Sequence, residues 1–266
     1  NNQQQQQQQH SPPKASLIVV NHVGFAELLY LASRDGCCFV SKAENRSLPV
    51  IGRVAEVMQC IFVDRGDTTQ HGGGGAATSS PTSKSTTTKT MEDILERAQA
   101  EPGTWPPLAL CPEGTTTTGH CLIQMRTGAF TPGLPVQPVM ARVPFSPIHG
   151  YDPSFSAVPI VQHVLLLMTQ PMNHLHITHL NVYTPNDDEK KDAKLFANNV
   201  RQRMADVVGY PTYNLTFFDK LPYERSEQQR ELGRNRWMEK NGGVLPTPPV
   251  FSQDAFGTPL ESAKSK

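Results

Sequence analysis

Short apolar runs that end on polar, chemically capable residues most restrict the folds open to this chain. Leu17–Val20 leads directly into Asn21 and His22, Cys60–Val63 into Asp64 and Arg65, and Leu108–Cys111 into Pro112, Glu113, Gly114 and Thr115. A further run, Val136–Val143, contains Pro138, which predicts an edge strand or a bulge. Runs of this length rich in Val, Ile and Leu suit buried strands. Phe39–Ser41 fits another short strand. His174–Tyr183 alternates, with Leu175 and Ile177 on one side and His174, His176 and Thr178 on the other, as a half-buried strand should.

Segments of helical spacing lie between the runs. Phe25–Ala32 is apolar and helix-like, Pro49–Met58 carries Ile51, Val54, Ala55 and Met58, and Met91–Ala100 carries Met91, Ile94, Leu95 and Ala98. The clearest pattern runs from Asp188 to Val208, capped by Asn186 or Asp187, with Phe196, Val200, Met204 and Val208 in one row and Gly209 as the stop. Strands alternating with helices predict an α/β fold in which a single mixed sheet is flanked by helices, an α/β sandwich. Recurring prolines and irregular spacing argue against a regular doubly wound arrangement.

Only 37% of the 266 residues are hydrophobic, enough for one core with part of the chain outside it. Residues 1–14, with consecutive glutamines from Gln3 to Gln9, predict a disordered segment. Residues 66–90 combine Gly72–Gly75 with a Ser/Thr-rich stretch and read as a disordered surface insertion in a folded domain spanning 15–225. Residues 226–266 predict a short helix from Glu227 to Lys240 and a flexible tail. The 24 Lys and Arg cancel the 24 Asp and Glu, so no general basic field exists to hold nucleic acid, and a charged ligand must be met locally. Five cysteines with no C-x-x-C pair argue against a disulfide scaffold and suit reduced thiols in a cytosol-like compartment. No run approaches the about 20 apolar residues of a membrane helix, so the chain as given is expected not to span a membrane.

His22 stands five residues before Glu27, near one helical turn, so ring and carboxylate can meet if Val23–Glu27 is helical. Such a pair is a general base held in one tautomer, able to take a proton from a hydroxyl near neutral pH; a hydrogen-bonded structural histidine is the plainer reading. Arg65 at a strand end offers planar donors to a phosphate or carboxylate, or an ion pair to a neighbouring acid. In ALCPEGTTTTG a strand runs into a carboxylate, a glycine and more hydroxyls than a turn needs, which points to polar ligand groups. His174, His176 and His179 do not suggest a metal site, because on a strand His179 faces opposite to the other two and no Cys or carboxylate completes a tetrahedral set. Gly72–Gly75 lack phosphate-loop spacing, and no G-x-S-x-G elbow is present.

Taken in order, these segments resemble the four motifs of the glycerophospholipid acyltransferase family. The family's N-H-x-x-x-x-D corresponds to Asn21-His22-Val23-Gly24-Phe25-Ala26-Glu27, with Glu in place of Asp, and its apolar-x-x-R to Phe62-Val63-Asp64-Arg65. Its (F/L)-P-E-G-T corresponds to Cys111-Pro112-Glu113-Gly114-Thr115, and its V-x-P-V to Val136-Gln137-Pro138-Val139, closed by Arg142. The stretches Thr115–Gly119, Thr127–Phe130, Met168–Lys191 and Leu195–Gly209 are similar to the eukaryotic lysophosphatidylcholine and lysophosphatidylethanolamine acyltransferases, and the resemblance covers residues 17–220. The sequence departs from the pattern at Glu27, a variant resembling the plant-type lysophosphatidylethanolamine branch, at Cys111, in the 66–90 insertion, and in lacking amino-terminal membrane helices, which suggests a truncated chain or gene model.

The resemblance implies an acyl-CoA-dependent O-acyltransferase acting on a lysoglycerophospholipid, lysophosphatidylcholine or lysophosphatidylethanolamine. His22 would take the proton from the acceptor hydroxyl as it attacks the thioester, and Glu27 would orient the ring, with no covalent enzyme intermediate. Arg65, Glu113, Gly114 and Thr115 would hold the glycerol-phosphate, Arg65 as the anion contact and Glu113 bonding a hydroxyl or positioning Arg65. Pro138 and its strand would shape the acyl-CoA side. The same resemblance implies no metal, no cofactor beyond acyl-CoA as co-substrate, work at a membrane surface, and an endoplasmic reticulum location with the catalytic domain in a reducing compartment. The alternative is a catalytically impaired lipid- or phosphate-binding α/β module in which the change to Glu27 has ended turnover.

Overall fold

The structure is a computed structural model and describes residues 15–47, 51–63, 81–101, 103–144, 160–220, 222 and 227–243. Its strands are β1 (Leu17–Val20), β2 (Cys38–Lys42), β3 (Ile61–Val63), β4 (Leu108–Leu110), β5 (Val136–Arg142) and β6 (His176–His179). They form one sheet in the order β3-β2-β4-β1-β5-β6, parallel throughout except for β6, which runs antiparallel to β5. The helices are α1 (Ala26–Asp35), α2 (Ile51–Val57), α3 (Pro81–Gln99), α4 (Ile160–Met168), α5 (Asp187–Lys191), α6 (Ala193–Val208), α7 (Phe217–Lys220) and α8 (Glu227–Lys240). This is the single mixed sheet with flanking helices that the alternating segments predict.

The pleat divides the central strands between two cores. Leu17 and Val19 join Leu108, Val136 and Met140 against Ile94 of α3 and Phe196, Val200 and Met204 of α6. Ile18 and Val20 join Ala109, Val139 and Ala141 on the other face, against Leu31 of α1. Burial on both faces explains why LIVV reads as a continuous apolar run rather than an alternating one.

Two expectations are corrected, and the edge-or-bulge reading of Pro138 resolves to a bulge. Pro138 does not mark an edge, since β5 lies between β1 and β6 with Pro138 in register with Val19. The sheet accommodates the missing N–H with a bulge on the facing chain: Val139 pairs with His179 and Val136 bridges Tyr183, so two residues of β5 oppose three. The helix predicted from Asp188 to Val208 is two helices. The Asp192 carboxylate accepts from the N–H groups of Lys194 and Leu195 at 2.8 and 3.1 Å, starting α6 afresh instead of continuing α5. Helix α3 begins at Pro81, so residues 81–90 of the expected insertion are helical, whereas 66–80 lie outside the described residues. Once its anchored turn around Ile94 and Ala98 is formed, extending a helix through polar residues costs little. The segments 1–14 and 244–266 also lie outside the described residues.

Asn21 fixes the point at which the chain leaves β1. It is fully buried; its side-chain amide donates to the Ala141 carbonyl at 2.9 Å and its oxygen accepts from the Ala141 N–H at 2.7 Å. Asn21→Ala strips partners from a buried donor and a buried acceptor, each costing about 1–3 kcal/mol, so urea unfolding should show a loss of about 2–6 kcal/mol. A loss below about 0.5 kcal/mol, the range of an ordinary surface change, would show that this stitch is dispensable.

Candidate active site

With Val19 beside Leu110 in the parallel pair β1 and β4, the segments leaving the two strands run together and bring His22 level with Glu113. The His22 N–H donates to Glu113 Oε2 at 2.9 Å, and the Ile123 N–H donates to Oε1 at 3.2 Å. The Thr117 N–H donates to the His22 carbonyl at 2.8 Å. Both backbone polar groups of His22 are therefore held by the loop after β4. Two glycines let that loop close, Gly114 at φ +70° and Gly119 at φ +75°. A Cβ would fall 2.7 Å from Arg126 Nε at the first and 2.7 Å from Val23 Cγ1 at the second.

Glu27, in the first turn of α1, folds its carboxylate back over the turn that precedes the helix. Its Oε1 accepts from His22 Nδ1 at 2.8 Å and from the N–H groups of Val23 and Gly24 at 3.1 and 3.0 Å. The pair forms although the helix starts only at Ala26, because the carboxylate spans a non-helical turn. The Glu27 side chain is fully buried, while that of His22 keeps 22% of its surface exposed. A carboxylate on Nδ1 holds the proton there and leaves Nε2 as the nitrogen that accepts another.

Burial opposes protonation of His22, but the influence of Cys111 and then of Glu27 outweighs it and pushes the imidazole up to about 10. Glu113 is pushed up to about 7 by burial, against the pull of the His22 and Ile123 donors.

Of the residues singled out in the sequence, His22, Glu27, Glu113, Gly114 and Thr115 converge at the ends of β1 and β4. Pro138 is buried in the sheet, in register with Val19, and acts on the site only through the strand. Arg65 lies outside the described residues. Glu113, expected to bond an acceptor hydroxyl or position Arg65, is 1% exposed with both oxygens on backbone donors, so it serves as a clasp on His22. His179 sits 4.0 Å from Asp35 Oδ2 while His176 is exposed, so the strand histidines do not share a site.

Three neighbours were missed. Lys220 Nζ donates to Thr115 Oγ1 at 3.3 Å and to the Thr116 carbonyl at 3.2 Å. It is carried there because Leu122 and Gln124 donate to the carbonyls of Pro211 and Leu215, docking the segment before α7 against the loop. Arg126 lies over Gly114, and Cys111 is among the groups that raise His22. Only Cys111 left a sequence signal, as a departure from an apolar motif position.

An imidazole paired with a buried carboxylate thus stands at the strand ends of one α/β sheet. The family model Acyltransferase matches residues 3–142, a span that holds both members of the pair. The chain is 32% identical over 217 residues to a lysophosphatidylcholine acyltransferase of Drosophila melanogaster, covering 80% of this chain and 37% of that protein. It is 33% identical over 222 residues to the lysophospholipid acyltransferase LPEAT1 of Arabidopsis thaliana, covering 84% of this chain and 52% of that protein. A crystal structure of the 1-acyl-sn-glycerophosphate acyltransferase PlsC from Thermotoga maritima aligns with a TM-score of 0.43 at 12% identity, covering 74% of this chain and 67% of that one. The chain belongs to the acyltransferase family. It spans from 37% to 52% of the length of these two curated relatives.

The His22 ring should titrate above its usual value, and Glu27→Gln, which removes the facing charge, should lower the midpoint; imidazole proton shifts followed from about pH 5 to 11 measure both. Since the folded value is raised, protonated His22 stabilises the fold fully below about 6.5, and that contribution fades as pH climbs towards about 10. An identical midpoint in wild type and Glu27→Gln would remove the carboxylate from this account.

Proposed function

We propose that this chain carries the catalytic unit of an acyl-CoA-dependent lysophospholipid O-acyltransferase, with lysophosphatidylcholine or lysophosphatidylethanolamine as acceptor. The observation that carries this reading is the 2.8 Å contact between His22 Nδ1 and the buried Glu27 carboxylate, which leaves Nε2 to act on a ligand. Nε2 takes the proton of the acceptor hydroxyl as its oxygen attacks the thioester carbonyl. The carbon–sulfur bond then breaks and the CoA sulfur leaves with the proton from the imidazolium, whose charge Glu27 steadies. Glu in place of Asp does not part the pair, which weighs against a binding module that has lost turnover. Because Nε2 must be unprotonated to begin, kcat/KM rises with pH as the ring gives up its proton.

The acceptor phosphate finds cations in Lys220 and Arg126, which flank Thr115 and Gly114, and in Arg65 from the second motif. Among the described residues no helix is long and apolar enough to cross a membrane. An acyl chain of about 16 carbons costs about 12 kcal/mol to leave in water, so an enzyme of this kind works at a membrane surface or shelters the chain. We read the site of work as the endoplasmic reticulum surface, facing a reducing compartment, with no metal or cofactor beyond acyl-CoA.

Release of free CoA, measured with and without lysophospholipid, tests the reading. His22→Ala should lower turnover by ~10²–10⁴ with the fold intact, and retention of more than about a third of the rate would sink the assignment. Glu27→Asp should be tolerated far better than Glu27→Gln; equal rates would mean that the carboxylate does not act through His22. Lys220→Ala and Arg65→Ala should each raise KM for the lysophospholipid roughly 10- to 150-fold while leaving KM for acyl-CoA nearly fixed, the equivalent of ~1.5–3 kcal/mol per charged hydrogen bond. A matched rise in both constants would count against phosphate binding. Comparing lysophosphatidylcholine, lysophosphatidylethanolamine and lysophosphatidic acid identifies the head group.

A further inference from the structure

Arg201 of α6 is a buried charge whose hydrogen-bond partners are neutral. It is 8% exposed, and its guanidinium donates to the Tyr213 carbonyl at 3.1 Å and to Asn214 Oδ1 at 3.3 Å. Its Nε is buried with no hydrogen-bond partner among the described residues. Taking a guanidinium out of water for a carbonyl and an amide oxygen, with one donor left over, stabilises a fold poorly. It does fix two neighbouring residues at once, because the fork is planar and rigid.

Those two residues lead to the site. Tyr213 is held from both sides: its N–H donates to the Leu122 carbonyl at 2.9 Å, and its carbonyl accepts from Arg201. Two residues after Asn214, the Thr216 N–H donates to Asp219 Oδ2 at 2.7 Å and opens α7, the short helix that ends on Lys220. Lys220 then reaches Thr115 Oγ1 and the Thr116 carbonyl.

The two sides of this docking are unequal. Leu122 and Met125 belong to the core, and so do Phe196, Val200 and Met204 of α6, whereas Tyr213 and Asn214 are exposed. Arg201 therefore ties the exposed partner to a rigid helix. The Ile123 N–H, which holds Glu113 and through it His22, lies on the buried side and does not depend on the tie.

We propose that Arg201 is a positioning residue for the acceptor: by gripping Tyr213 and Asn214 it sets the reach of Lys220 toward Thr115. It touches no substrate itself. What Lys220 binds rests on the function proposed above; the tether does not.

The test measures CoA release and amide hydrogen exchange on the whole chain. Arg201→Met keeps a long unbranched side chain and removes the fork, and the two acceptors left behind lie on exposed residues where water can meet them, so the variant should fold. KM for the lysophospholipid should rise about tenfold or more, with kcat changed less than about threefold and KM for acyl-CoA nearly fixed. Peptides covering 211–220 should exchange at least about tenfold faster, and those covering β1 and β5 at the wild-type rate. Asn214→Ala, which removes one of the two bonds at an exposed position, should raise the same KM about 2- to 10-fold. Arg201→Lys should fall between Met and wild type, since a point charge replaces the fork. Added to Lys220→Ala, Arg201→Met should contribute less than about a further twofold, because a residue that acts through Lys220 then has nothing to position. Effects that multiply in full, matched rises in both Michaelis constants, or an unchanged KM for the lysophospholipid in Asn214→Ala overturn the proposal. Unchanged exchange across 211–220 in Arg201→Met overturns it as well. Faster exchange there in a chain whose wild type releases no CoA upholds the tether and counts against the proposed function instead.

Discussion

A carboxylate with almost no solvent contact joins the two halves of the site. Glu113 receives the N–H of His22 on one oxygen and the N–H of Ile123 on the other. Burying a carboxylate is costly unless hydrogen bonds meet it, and two backbone donors supply what water would have given. The position of His22 is therefore set by main chain, not by its own side chain. Its carbonyl is held as well, by Thr117 further along the same loop. Whatever displaces the loop after β4 displaces His22.

The second carboxylate does a different job. Glu27 places one oxygen against three donors, so the turn into α1 and the orientation of the imidazole depend on a single atom. The result is one ring with a buried carboxylate against it and a second carboxylate bonded to the backbone of the same residue.

Reach across the chain brings Lys220 to the loop after β4. Segment 211–215 pairs with the stretch around Leu122, and this seats α7 so that Lys220 meets Thr115 from 105 positions away. Helix α8 packs behind α7, with Lys240 Nζ 3.0 Å from Asp219 Oδ1 and the Arg236 guanidinium 4.6 Å from the Phe218 ring centre. Helices α7 and α8 thereby support the loop that holds His22.

Local chemistry determined much of this directly from the residues. LIVV and LAL are strands because nothing else buries such short β-branched and aliphatic runs on two faces, and Asn186 and Gly209 bound their helical segment through caps written in neighbouring residues. The meeting of His22 and Glu27 followed from a spacing of five residues, although the turn that achieves it is not helical. Tertiary structure decided the rest, because those features depend on partners distant in sequence. Pro138 sits inside the sheet only because the facing chain bulges, Glu113 becomes a clasp only because β4 lies beside β1, and Cys111 and Lys220 join the site only once register and docking bring them there. A sequence states which groups are present and how near they lie along the chain; which of them face one another is set by strand register, and that is a property of the folded sheet.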